Sequence, residues 1–154
     1  MTGPNSEAPR VVSASRDIAA PAAVIFDLIA DPAQQPRWDG NDNLESADPG
    51  QRVHAVGDVF VMHNTGGKIR PNNVIAFEEG RLIAWQPAPP GEPVPGHIWR
   101  WELEPVSEDR TRVRHVYDWS KLTDERRLQR AADTTEANLL ASLDRLADLA
   151  ETTV

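Results

Sequence analysis

The sequence predicts an α+β domain: a curved antiparallel β-sheet of about seven strands wrapped around one long C-terminal α-helix, with two short helices after strand 1. Three observations carry this. His97 to Val106 and Thr111 to Trp119 alternate strictly, with His97, Trp99, Trp101 and Leu103 on one face and Arg100, Glu102 and Glu104 on the other. Their likeness to two facing hairpin strands is completed by Val113, His115, Tyr117 and Trp119, set against Arg112, Arg114 and Asp118. Such alternation marks an antiparallel sheet with one wet and one covered face. From Leu128 to Ala150, small and apolar residues recur every three or four positions, as on a helix that does the covering.

The elements follow in order. Val11 to Ala20 reads as a strand with Val12, Ala14 and Ile18 inward, behind a flexible leader over residues 1–10. Pro21 suits a helix's first turn, and Ala22 to Ala30 follows as a short apolar helix. Asp31-Pro32 ends it and starts a second short helix reaching about Trp38. Asn43 to Ala47 is a weak strand, and Asp58 to Asn64 a stronger one. Asn73 to Glu78 and Arg81 to Gln86 flank the Glu79-Gly80 turn. Pro87 to Gly96, with five prolines in ten residues, joins two strands of one sheet and reads as a stiff loop at a cavity mouth. Thr123-Asp124-Glu125 caps a helix continuing to about Glu151, roughly 40 Å at 1.5 Å per residue. Residues 11–151 thus read as a single domain.

Composition narrows the function. The 154 residues are 40% hydrophobic and 26% charged, with no cysteine, which removes disulfides, thiolate metal sites and cysteine nucleophiles. A net charge of −8 disfavours nucleic acid and anionic membranes as partners unless the bases gather on one face. No apolar run approaches a membrane span, and the N-terminus lacks the basic and apolar regions of a signal peptide. Cytoplasmic residence is expected. Five Trp against one Tyr and three Phe put most of the aromatic mass in indoles.

The residues also resemble a known family. Ile18-Ala19-Ala20-Pro21-Ala22-Ala23-Val24-Ile25-Phe26 running to Trp38, Phe77-Glu78-Glu79-Gly80-Arg81-Leu82-Ile83-Ala84-Trp85, Trp99-Arg100-Trp101-Glu102-Leu103-Glu104-Pro105 and Thr111 to Trp119 are similar to the START and birch-pollen-allergen (SRPBCC) superfamily. Within it they look like the polyketide cyclase/dehydrase group of small bacterial proteins. The resemblance spans Val11 to Ala150 and implies the helix-grip fold. It also implies a small hydrophobic ligand such as a polyketide, lipid or aromatic metabolite. Members include aromatase/cyclases, lipid-transfer domains and chaperone activators, among which fold does not choose.

The inward rows either fill a core or wall a cavity; large aromatics mixed with His and Tyr favour a cavity, since a plain core would use Leu, Ile and Val. Expected ligand-binding residues are Phe26, Trp38, His63, Ile75, Phe77, Trp85, His97, Trp99, Trp101, His115, Tyr117, Trp119, Leu139 and Leu143. His97, His115 and Tyr117 are candidate acid/base groups should the cavity catalyse an enolisation and dehydration. Arg70, in a Gly-rich basic turn, either reaches an acidic ligand or belongs only to a loop. No His-x-x-His, Glu-x-x-His, phosphate-loop or Gly-x-Ser-x-Gly spacing occurs, so neither metal nor cofactor is expected. A monomer or homodimer suffices for a binder. A protein-interaction module would instead use an exposed patch, for which the acidic segment Asp124 to Glu151 is the candidate.

Overall fold

The computed structural model describes residues 9–153, so the leader expected over residues 1–10 lies almost wholly outside the described residues. Strand β1 (Val11–Ile18) leads through Pro21 into α1 (Ala22–Ala30), a 3-10 turn (Pro32–Gln34) and the short α2 (Gln35–Trp38). Six strands follow: β2 (Leu44–Ser46), β3 (Val59–Asn64), β4 (Lys68–Glu78), β5 (Leu82–Pro87), β6 (Ile98–Ser107) and β7 (Arg110–Asp118). Two helices, α3 (Glu125–Ala132) and α4 (Glu136–Thr153), end the chain. The seven strands form one antiparallel sheet in the order β1-β7-β6-β5-β4-β3-β2, a meander whose last strand pairs with the first.

Alternation sets the two faces as expected. Trp99, Trp101 and Leu103 pair across β6–β7 with Tyr117, His115 and Val113, all on the concave side. On the convex side Arg100 and Arg114 both bind Glu102, at 2.6 and 3.2 Å, and Arg112 binds Asp17 at 2.9 Å. These exposed pairs contribute little each, but they keep that face wet. The concave face packs on α1 and α4 through Ile18, Ile25, Phe26, Ile29, Ile83, Leu143, Leu146 and Ala147, all fully buried.

Three features depart from the sequence reading. The long C-terminal helix is two helices, because Thr135 starts a new one: Asn138 Oδ1 accepts from Thr135 N at 2.8 Å, and Thr135 Oγ1 accepts from Asn138 N at 3.4 Å. That reciprocal cap outweighs the continuous periodicity, and α4 alone spans about 27 Å. The basic turn before Pro71 is not a loop beyond Gly67; Lys68 and Arg70 already belong to β4, paired with Asn64 and Met62. Finally, β4 carries a bulge between Val74 and Ala76. Val74 is buried, the extra residue Ile75 is 40% exposed, and Phe77 turns back inward. A bulge shifts the in-out phase in this way, and simple alternation cannot foresee it.

The segment after α2 is clamped to α4. Gly40 N donates to Ser142 Oγ (3.0 Å), Arg145 Nη1 to Asp39 O (2.8 Å), and the Asn41 and Asn138 side chains are joined by a 3.0 Å hydrogen bond. Gly40 lies so close that a Cβ there would sit 2.5 Å from the Ala141 carbonyl carbon. Gly40→Ala should therefore lower stability by about 1–3 kcal/mol or more, read as a lower urea midpoint. An unchanged midpoint would contradict this packing.

Candidate functional site

Sheet and helices meet tightly at one end only. At the other, a cavity of about 470 Å³ opens between the concave face of β3–β7, the α2–β2 segment, the Pro-rich loop and α3 with the start of α4. That volume lies in the range of small-molecule pockets. Its aromatic wall is built by cross-strand pairing. Trp101 stacks on His115 with centroids 3.7 Å apart and rings 12° from parallel, and Trp99 lies 4.3 Å from Tyr117. His97 meets the Tyr117 ring edge-on at 6.1 Å. Trp38 closes the inner end, edge-on to Trp101 at 5.1 Å, held by its own Nε1–H donating to Leu28 O at 2.7 Å. Pro87, Ala88, Pro89 and Pro95 line part of the cavity, so the Pro-rich loop borders it.

Of the residues expected around a ligand, Trp38, Trp85, His97, Trp99, Trp101, His115, Tyr117 and Leu139 border this cavity. The other six lie elsewhere. His63 shares the outward phase of β3, whose Phe60 and Met62 are 1% exposed; with apolar residues on both phases, the larger side chains go inside. Ile75 is the bulged, outward residue of β4. Phe26 and Phe77 pack on each other (5.7 Å) in the dry end of the core. Leu143, one helical turn beyond Leu139, is fully buried there too. Trp119 falls just past β7, where its Nε1–H donates to Pro9 O (3.0 Å) and the Arg10 guanidinium covers its ring at 4.4 Å.

The sequence reading missed most of the polar part of the wall. Arg70, weighed there as either reaching an acidic ligand or belonging only to a loop, does border the cavity, with Lys68 and Asn72 from β4, Asn64 from β3, and Arg127 and Arg130 from α3. Their signal was present: Lys68, Arg70 and Asn72 alternate in phase once β4 is extended back, and Arg127 and Arg130 are i,i+3 neighbours on one helix face. Asp39 also borders the cavity, but its oxygens accept the backbone N–H groups of Asn41, Asn43 and Leu44 at 2.7–3.1 Å.

Among the described residues, the buried side-chain atoms without a hydrogen-bond partner are Asn64 Oδ1, His97 Nδ1, Trp101 Nε1, His115 Nδ1 and Arg127 Nε, the last beside Asp124 at 3.2 Å. All five residues border the cavity. Buried polar groups ordinarily find partners, so this concentration of unsatisfied atoms sets the cavity wall apart from the rest of the described core. Burial holds His115 neutral, its pKa lowered to about 3. Burial, then the charges of Arg127, Arg130 and Arg70, lower His97 to about 4. Burial raises the Tyr117 phenol to about 12. At neutral pH the site therefore presents two neutral imidazoles and an intact phenol.

Comparison with known proteins agrees with this architecture. The model of a family described as polyketide cyclase / dehydrase and lipid transport matches residues 9–151. An uncharacterized protein of Mycobacterium tuberculosis is 33% identical over 114 residues, 72% of this chain and 48% of that protein. The chain thus spans about half the length of the curated relatives it matches. A crystal structure of a Mesorhizobium loti protein aligns over 94% of this chain and 99% of its own at 19% identity, with a TM-score of 0.68. The solution structure of the Aha1 dimer from Colwellia psychrerythraea aligns over 92% and 96% at 19% identity, TM-score 0.61. These neighbours share the helix-grip fold, a curved antiparallel sheet on a C-terminal helix. No helix among the described residues is long and apolar enough to cross a membrane.

The buried histidines make stability depend on pH. Below pH 6.5 the unfolded chain takes up protons that folded His97 and His115 refuse, so stability falls as pH drops from 6.5 towards about 4. Each histidine contributes a slope of about 1.4 kcal/mol per pH unit within that window. His115→Phe, which keeps a ring on Trp101, should remove about half of the combined slope in urea melts between pH 4.5 and 6. An unaltered slope would show that His115 is not buried neutral.

Proposed function

The chain belongs to the polyketide cyclase / dehydrase and lipid transport family, and from that premise we propose that the cavity binds one small hydrophobic molecule with a flat body. Family and helix-grip fold together suggest hydrophobic-ligand binding. The observation that carries the proposal here is the pairing of an indole-rich wall (Trp85, Trp99, Trp101 with Tyr117) with buried polar atoms that lack partners. Flat rings can slide against Trp99 and Tyr117, and a ligand carbonyl or hydroxyl can satisfy Trp101 Nε1–H or an imidazole nitrogen. Such a division between apolar walls and few orienting groups is what ligand pockets use. A polyketide, an aromatic metabolite or an acyl chain would each fit this chemistry.

Binding is preferred over a cyclase-type enolisation and dehydration for an electrostatic reason. General acid/base groups work best with a pKa near the operating pH. His97 at about 4, His115 at about 3 and Tyr117 at about 12 are each displaced from neutrality in the unhelpful direction. A neutral imidazole of such low basicity makes hydrogen bonds more readily than it moves protons.

Tryptophan emission offers a direct test with anthraquinone-2-carboxamide, dodecanol and other flat or acyl-chain compounds as probes. At least one should quench saturably with one site per chain. Trp99→Ala should weaken that probe about tenfold, since stacking on an aromatic contributes about 1 kcal/mol or more beyond area burial. Absence of saturable quenching across the panel would refute the binding reading.

A further inference from the structure

Although the chain as a whole is acidic, the mouth of its cavity is basic. Lys68 and Arg70 stand on the concave phase of β4, and Arg127 and Arg130 face them from α3; all four border the cavity. Among the described residues no carboxylate lies within 4 Å of Lys68, Arg70 or Arg130, although the chain's surface elsewhere is laced with Arg–carboxylate pairs. The Arg70 guanidinium donates to the backbone carbonyl of the adjacent Ile69 (2.9 Å), and Arg130 reaches Asn43 Oδ1 at 3.5 Å. Of the acids bordering the cavity, Asp39 is occupied by backbone N–H groups and Asp133 accepts from Gln129 at 2.8 Å. His97, with Nδ1 buried and unpartnered, sits between these cations and the aromatic wall.

Resting on the binding reading above, we propose that the ligand is an organic acid, its apolar body lying on Trp99 and Tyr117 and its anionic group held at the mouth by Arg70, Arg127 and Arg130. Guanidinium groups are suited to the task, since they present planar donor pairs matched to a carboxylate. Their convergence from two sides, sheet and helix, leaves a positive gap that neither element fills by itself. Because Arg127 and Arg130 lie on the short helix α3, separated from α4 by the Thr135 cap, the anion would also tie α3 to the sheet.

The test compares four probes at constant ionic strength: anthraquinone-2-carboxylate and its neutral carboxamide, dodecanoate and dodecanol. Each acid should bind at least tenfold more tightly than its neutral partner, and the stronger of the two acids tells a polycyclic acid from a fatty acid. Arg127→Gln with Arg130→Gln, and separately Arg70→Gln, should weaken the preferred acid about tenfold while leaving its neutral partner within twofold. Arg112→Gln, on the convex face of the sheet and paired with Asp17, should change neither. Circular dichroism confirms that each variant folds, and the retained affinity for the neutral probe confirms that the cavity persists. Equal binding of acids and neutral partners would overturn the acid while leaving the binding reading intact. Acid binding indifferent to Arg70, Arg127 and Arg130 would overturn the assigned site. Failure of all four probes to bind would overturn both.

Discussion

The packing of Trp101 joins the parts of this molecule. Its indole is fully buried, stacked on His115 across the β6–β7 ladder and met edge-on by Trp38. Trp38 in turn is fixed to the end of α1 through Leu28 O. One side chain thereby links the centre of the sheet to the short helices. Burying a residue of that size contributes on the order of 4–6 kcal/mol as an upper estimate. Yet its Nε1–H has no partner. The same residue that closes the core also borders the cavity.

From Trp101 the concave face divides into two regimes. Towards Leu103 and Val113 the sheet is covered by α1 and α4, whose Ile25, Phe26, Ile29, Leu143 and Leu146 are fully buried. Towards Trp99 and Tyr117 the cover is α3, the Pro-rich loop and the clamped segment after α2, none of which is a long rigid helix. The Thr135–Asn138 cap creates this division by ending one helix before the next begins. A local hydrogen-bonding preference thus outweighs helical periodicity at the point where α3, which borders the cavity, gives way to α4.

How much of this was legible from residues alone follows the strength of each local signal. The β6–β7 hairpin, with charges on every second position, could be read to its two faces, and with them the shared side of His97, Trp99, Trp101, His115 and Tyr117, although not to the bulge between Pro105 and Ser107 that sets its register. Where both phases were apolar, as in Val59-Phe60-Val61-Met62, alternation carried no preference and His63 was assigned to the wrong side. Ile75 was misread because a bulge changes the phase without a proline or glycine to announce it. The cavity's basic mouth went largely unread because Lys68 and Arg70 adjoin two glycines, which look like a loop. Arg127 and Arg130 meet them only in the folded chain, 57 or more positions later. Packing across the sheet, not periodicity along it, decides such encounters.

The account's central claim is that a ligand satisfies polar atoms which the fold leaves buried and alone. Nuclear magnetic resonance of the indole N–H groups tests it most directly, because the tryptophans provide their own controls. Trp38 and Trp119 already donate to Leu28 O and Pro9 O, whereas Trp101 donates to nothing in the described structure. On saturation with anthraquinone-2-carboxylate the Trp101 N–H resonance should move and exchange more slowly with solvent, while that of Trp119, which lies outside the cavity, stays in place. A Trp101 resonance that remains fixed through saturation, or a shift of equal size at Trp119, would contradict the claim.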